Sequence, residues 1–362
     1  MVDTVAARGW GRGTLPVTTR MRQVVLKSYA RGNPRAKDFA VESVAVPQPA
    51  DGQVLLRTLW LSLDPLIRFA IDEVRLTGAT HLAPGDVMYG GTVSEVVASN
   101  HPDYAVGDIV EGRTGWREYA AIDPLRADPV KGALRKVDPA LAPVSTALGV
   151  LGMPGQTAHA CMVGIGRVKA GETVVVSAAA GAVGSIAGQI GKILGARVVG
   201  IAGGADKCTA VRDLGFDACV DYKAADFPEQ LCIACDGGVD VYVDNVGGDV
   251  MLAVLPLFKY GARMPVCGYI AYYGVGMTGP GPDHLPGFMR TIMSKGLEVR
   301  GFGGSMVGGQ RALDDLARWI AEGRLRYVEA VIEGLDAAPA AFAGIFSGNR
   351  NVGKLLVKVA RD

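Results

Sequence analysis

Residues Val174 to Ile201 read VVVSAAAGAVGSIAGQIGKILGARVVGI, and no other stretch limits the possible folds of this chain so strongly. Val174 to Val176 is a β-branched run suited to a parallel strand buried on both faces. Ala179, Gly181 and Gly184 follow it at the spacing of a turn that opens a helix over a phosphate. Gly181 lets the backbone approach a pyrophosphate, whose charge suits the free N–H groups and dipole of a helix N-terminus. Gly184 lets the helix pack close to the strand. Val183, Ala187, Ile190 and Leu194 then recur at three- and four-residue steps, with Gly188 and Gly191 as close-packing positions, before Arg197 to Ile201 returns as a second strand. The unit predicts a dinucleotide site in which Ala180, Gly181, Ala182, Val183 and Gly184 surround the phosphates. The competing reading is an ordinary crossover whose glycines serve packing alone.

The end of the second strand bears on which dinucleotide is bound. Chains that take NAD place an Asp or Glu there, about 20 residues past the glycines, to hold the ribose hydroxyls. Here Gly203 and Gly204 occupy that place and Lys207 follows, so a 2′-phosphate meets no repelling acid and one compact cation. NADP(H) is the expected cofactor. Asp206 is the opposing residue, unless it caps the helix through Cys208 to Leu214.

At 362 residues the chain exceeds the usual size of one core, and its 37 basic residues against 36 acidic ones give no electrostatic case for nucleic acid or an anionic membrane. No apolar run is long enough to span a bilayer. The first twenty residues lack a signal peptide's apolar segment and read as a flexible extension, which makes the cytoplasm the default location. Six cysteines, Cys161, Cys208, Cys219, Cys232, Cys235 and Cys267, fall in the nucleotide-binding half, and the single Cys232-x-x-Cys235 pair has no second pair or histidine beside it. His81, His101, His159 and His284 are scattered, so no metal is expected.

The N-terminal third alternates short β-rich segments, Gln53 to Leu59, Gly91 to Ala98 and Gly107 to Val110, with prolines and glycines. From Gly149 strands and helices alternate, with six candidate strands: Val174 to Ser177, Arg197 to Ile201, Ala218 to Val220, Val239 to Asp244, Ala262 to Val266 and Leu297 to Gly301. The expected architecture is α/β: a Rossmann doubly wound parallel sheet over 149–317 and a β-rich, barrel-like catalytic domain over 21–148 and 318–362. Leu313 to Ile320 reads as an amphipathic helix, and Val352 to Val359 as a half-exposed strand returning to the first domain.

Several segments carry a family resemblance: LSLDP with Arg68, GWREYA from Gly115, LGMPGQTA from Leu151, SAAAGAVGS from Ser177, DNVGG from Asp244, and the closing segment from Glu333 to Val359. Together, over nearly everything from Arg22 to Val359, they resemble the zinc-independent medium-chain reductases with a GroES-like catalytic domain. Within these the chain is similar to the prostaglandin reductase and leukotriene hydroxydehydrogenase group and its bacterial and plant double-bond reductases. The resemblance implies NADPH-dependent reduction of the double bond of an α,β-unsaturated ketone or aldehyde, by a homodimer in many relatives. It further implies that Tyr273, in CGYIAYYG, lies beside the substrate, with Tyr269 and Tyr272 as neighbours that could be confused with it. Lys207 and Tyr222 match contacts of the 2′-phosphate, and Thr157, Asn245, Cys267 and Asn351 match the cofactor cleft.

The chain also departs from the group. Leu66 stands where relatives have a tyrosine at the substrate mouth, His159 where many have an aromatic residue, and Gly301-Phe302 where an Asp-Tyr pair is frequent. Two other functional classes compete with the enone reductase: an NADPH quinone reductase on the same fold, and a non-catalytic NADPH-binding sensor.

Overall fold

The computed structural model describes residues 19–73, 80–126, 132–274, 282–302, 309–348 and 351–360. The extension expected over residues 1–20 lies outside them except for its last two residues, and Arg20 already begins a strand.

Two sheets organise the chain. The first has six parallel strands, Thr173–Val176, Arg197–Ala202, Ala218–Asp221, Val239–Val243, Phe258–Val266 and Glu298–Gly301, in the spatial order 3-2-1-4-5-6. This is the Rossmann order, whose reversal beside the first strand leaves a crevice at the strands' carboxyl ends. Alternation along the strands shows why both faces must be covered. Val174, Val176, Val241 and Val243 enter one core with Ile186 and Ile190, while Val175, Val199 and Tyr242 enter another with Val250, Val254 and Phe258. The helix Gln310–Ala321 lays Leu316 and Trp319 on the first of these cores.

The second sheet is mixed, running from Glu329–Glu333 through Lys354–Lys358, Val54–Ser62, Thr92–Ser99 and Ile109–Gly112 to Arg135–Lys136, with Tyr119–Ile122 paired to Val54–Ser62. Its strand Lys354–Lys358 corrects the half-exposed expectation. It lies between a parallel neighbour, Glu329–Glu333, and an antiparallel one, Val54–Ser62, so Leu355, Leu356, Val357 and even Lys354 are buried. The lysine is covered because it has an ionic partner, which an alternating pattern cannot report.

The Gly-rich unit folds as the sequence implies. Gly181 is the N-cap of helix Ala182–Ile193, and the turn before it bends at Ala178, which takes a left-handed φ of 47°. A Cβ at Gly184 would sit 2.3 Å from the Ala178 carbonyl oxygen, so the helix is seated directly on the turn backbone. One turn later, a Cβ at Gly188 would lie 1.8 Å from the Phe216 ring. Gly188→Ala should therefore cost about 1–3 kcal/mol in chemical denaturation through overpacking, with partial recovery on adding Phe216→Leu. Wild-type stability of Gly188→Ala alone would show that the ring has room to move.

Candidate active site

A cavity of about 400 Å³ opens between the two sheets, at the carboxyl edge where the strand order reverses. The sequence-derived residues converge on it from separate elements. Ala180, Gly181, Ala182, Val183 and Gly184 come from the turn and helix start, Gly203 and Lys207 from beyond the second strand, and Tyr222 from beyond the third. Asn245, Cys267 and Tyr273 come from the loops after the fourth and fifth strands, and Thr157 from helix Met153–His159. Leu66 of helix Pro65–Ile71 and Asn351, just before strand Lys354–Lys358, complete the cavity from the side of the second sheet.

One end of the cavity is cationic. Gly203 allows the Tyr222 ring to lie against the strand end, where a Cβ would come within 2.7 Å of it. Lys207 is half-buried there, and burial together with the charge of Lys223 holds its ammonium below the ordinary lysine pKa. Two lysines on one side of Gly203 favour an anion there. The nearby Asp221 is tied to the backbone instead, its Oδ1 accepting from Gly204 N–H at 2.8 Å and Lys223 N–H at 3.0 Å, bonds that hold its carboxyl below the usual carboxylate range. Asp206 does not cap its helix: the helix is Ala205–Asp213, Gly204 is the N-cap, and Asp206 lies inside the first turn.

The middle of the cavity is built on a buried carboxylate. Asp244 Oδ1 accepts from Tyr242 Oη at 2.8 Å, from Gly247 N–H at 2.9 Å and from Val246 N–H at 3.0 Å, which fixes the loop carrying Asn245. Asn245 donates Nδ2–H to the Ser177 carbonyl at 2.8 Å and accepts the Cys267 thiol at 3.0 Å, so its side chain locks two strand ends together at the cavity floor. Behind Cys267 stands the buried thiol of Cys161, pushed well up by its contact with Cys267 and by burial. Thr157 Oγ1 lies 3.6 Å from Met153 Sδ.

The opposite end is aromatic and apolar. Tyr273 is buried, its ring 4.4 Å from that of Phe69 and 5.3 Å from that of Tyr269. Burial pushes its phenol up to about 12, so it remains a neutral hydroxyl donor. The neighbouring tyrosines differ: Tyr272 packs over Gly247 and Gly248, and Tyr269 is 42% exposed, so of the three only Tyr273 belongs to the cavity lining. Leu66 begins the turn of helix Pro65–Ile71 that also carries Phe69. Arg68 is structural, giving its guanidinium to the carbonyls of Ala30 and Gly32 and to Asp72.

Sequence reasoning did not single out Lys223, Phe69, Asp64 or Lys354. Lys223 could have been found, since it completes the same DYK triplet as Tyr222. Among the described residues no group of three or more His, Cys, Asp or Glu side chains is arranged to hold a metal ion. No helix among them is long and apolar enough to cross a membrane.

Residues 22–130 match the family described as the N-terminal domain of oxidoreductase, and 182–322 match the zinc-binding dehydrogenase family. The chain is 45% identical to the NADPH-dependent curcumin reductase of Escherichia coli, over 95% of this chain and 98% of that protein. It is 38% identical to prostaglandin reductase 1 of Oryctolagus cuniculus, over 92% of each. A crystal structure of CurA in complex with NADPH from Vibrio vulnificus superimposes with a TM-score of 0.87 at 42% identity, covering 94% of this chain and all of that one (100%).

The cation pair makes a measurable prediction. Calorimetry should show adenosine 2′,5′-bisphosphate binding more tightly than adenosine 5′-monophosphate, and Lys223→Ala or Lys207→Ala should weaken only the former, by about tenfold for a contact of roughly 1.4 kcal/mol. Equal losses for both nucleotides would remove the 2′-phosphate from this site.

Proposed function

The chain belongs to the medium-chain dehydrogenase/reductase family, in the group that holds the curcumin and prostaglandin reductases, and from this premise we propose that it uses NADPH to reduce the carbon–carbon double bond of α,β-unsaturated ketones or aldehydes. The observation that carries the proposal is the polarity of one cavity: Lys207 at one end with Lys223 beside Gly203, and the neutral Tyr273 hydroxyl among aromatic rings at the other.

The residues fit the cofactor in chemical terms. The turn from Ala178 to Gly184 brings backbone and a helix N-terminus to the diphosphate, and Lys207, Lys223 and Tyr222 receive the 2′-phosphate. Thr157, Asn245, Cys267 and Asn351 border the remainder of the cleft. NADPH, when bound, supplies the hydride for the substrate's β-carbon.

Tyr273 then serves the substrate's carbonyl oxygen, where negative charge grows as the double bond is consumed. A hydroxyl already fixed by Phe69 and Tyr269 needs little reorganisation to meet that charge. Its site excludes water on the aromatic side, which strengthens the bond. Leu66, at the mouth, offers the ligand no second polar contact, so apolar enones suit this wall better than enones with a remote hydroxyl or carboxylate.

The test is an NADPH-oxidation screen over enones, enals and quinones with product identification. Tyr273→Phe should lower enone turnover on the order of a hundredfold while leaving NADPH affinity unchanged. Because burial raises the phenol pKa, the donor is present below about 12 and lost only as pH rises through that value, so turnover should show no falling limb near pH 10 from this residue. Full activity of Tyr273→Phe would remove the residue from catalysis. Turnover of quinones alone, or NADPH binding without turnover, would replace the reading.

A homodimer is part of the same reading. Support comes from the helix Leu285–Lys295, whose Leu285, Met289 and Met293 are 60%, 54% and 79% exposed beside the outer strand Glu298–Gly301. Sedimentation equilibrium should give twice the chain mass, falling to one with Met293→Glu; a monomeric wild-type chain would end this part of the proposal.

A further inference from the structure

Lys354 and Asp64 form an ion pair in the wall of the cavity, Nζ to Oδ1 2.5 Å, with side chains 5% and 14% exposed. The second Asp64 oxygen accepts Ser62 Oγ at 2.6 Å. Burial alone would push the Asp64 carboxyl up, but the Lys354 charge and hydrogen bond, with the Ser62 hydroxyl, hold it below the usual carboxylate range. A pair of this kind adds little net stability, because desolvation of both ions offsets their attraction. Lys354 also has a carboxylate in register, Glu329 on the adjacent parallel strand, yet Glu329 bonds Ser145 at 2.9 Å and the ammonium reaches across to Asp64. The crossing is therefore a specific choice of partner.

What it joins are two walls of the site. Asn351 lies three residues before Lys354, on a strap that passes from the nucleotide turn into the second sheet. That strap is held by backbone bonds alone: Gly353 N–H to the Ala180 carbonyl at 2.7 Å, and Lys354 N–H to the Val328 carbonyl at 2.8 Å. Gly353 takes a φ of 80°, and a Cβ there would lie 2.0 Å from Val328 O, so the strap is seated directly on the Val328 backbone. The opposite wall, Leu63 to Leu66, lies past the end of strand Val54–Ser62. Beyond the strand pairing of Leu356 with Ser62, its links to the strap are Leu63 N–H to the Leu355 carbonyl at 3.3 Å and the Lys354 ammonium, which reaches the Leu63 carbonyl at 3.5 Å and the Asp64 carboxylate at 2.5 Å.

We propose that the Lys354–Asp64 pair is a positioning device: it holds the Leu63–Leu66 substrate wall against the strap that carries Asn351, and so sets the angle at which the enone meets the cofactor. The kinetic half of this inference rests on the enone reading above; the mechanical half does not. Since the strap keeps its backbone bonds without the ion pair, losing the pair acts on the substrate wall and leaves the cofactor cleft in place. A reacting group displaced by 1 Å can cost on the order of a hundredfold in rate.

The experiment compares the full-length wild type with Lys354→Met, Asp64→Asn and the double variant Lys354→Met/Asp64→Leu, which leaves no unpaired buried charge and guards against misfolding of the single variants. Three quantities are measured: the NADPH dissociation constant, kcat/KM for an apolar enone, and backbone hydrogen exchange by mass spectrometry. In the double variant kcat/KM should fall by roughly ten- to a hundredfold with NADPH affinity unchanged. Peptides covering Leu61–Ile71 should exchange faster, while those covering Thr173–Ile193 should not. Wild-type kcat/KM and wild-type exchange at Leu61–Ile71 would overturn the proposal, as would a loss of NADPH affinity in step with the loss of kcat/KM. If the wild type reduces no enone, the functional reading fails and the exchange measurement alone decides the positioning role.

Discussion

The contact between Gly353 and the nucleotide-binding turn is the constraint from which the rest of the site follows. The Gly353 N–H meets the Ala180 carbonyl at 2.7 Å, and Gly181 and Gly353 form a parallel bridge. Here the strap into the mixed sheet meets the nucleotide-binding turn backbone to backbone. Any residue with a Cβ at Gly353 would be driven into Val328 O, next to strand Glu329–Glu333 of the mixed sheet, and the strap would be displaced from its seat. The cavity is the space left on one side of that junction. Its floor belongs to the parallel sheet, its mouth to the mixed one, and its volume of about 400 Å³ is set by how closely the two can approach.

Within that space the chemistry is sorted by electrostatics. Burial and the charge of Lys223 hold the Lys207 ammonium at one end below its ordinary pKa, an environment that suits an anionic group. At the far end burial holds the Tyr273 hydroxyl neutral, and in the proposed reaction it would meet the substrate oxygen as that oxygen becomes negative. In the proposed reading, nucleotide binding and stabilisation of the reaction fall to different residues on different elements. Between them Asp244 holds the loop of Asn245 through the N–H groups of Val246 and Gly247 and is itself held by the hydroxyls of Tyr242 and Ser177.

What the sequence revealed divides along physical lines. Local rules were legible: Gly181, Gly184 and Gly188 are explained by contacts within one strand–helix unit and its immediate neighbours, and the six strands appear within a few residues of their expected limits. Long-range pairing was not. Asp64 and Lys354 are 290 residues apart, and nothing in either neighbourhood says which carboxylate a lysine will choose. The same pairing explains the misjudged burial of Lys354–Lys358: a strand with lysines at both ends looks half-exposed unless one of them has a buried counter-ion. Phe69 was invisible for a related reason, since an aromatic residue in a short helix gains meaning only through the ring of Tyr273 from the other sheet. Of the tyrosines in CGYIAYYG, the family resemblance named Tyr273, and its ring is the one turned into the cavity.

The central claim is that this cavity directs a hydride to the β-carbon of an enone, with the carbonyl oxygen held at the Tyr273 end. Turnover with NADPH deuterated at the transferable position of the nicotinamide, followed by NMR of the product, tests it most directly. The account predicts a saturated ketone or aldehyde with deuterium at the β-carbon alone. Deuterium at the former carbonyl carbon, in an allylic alcohol, would contradict it.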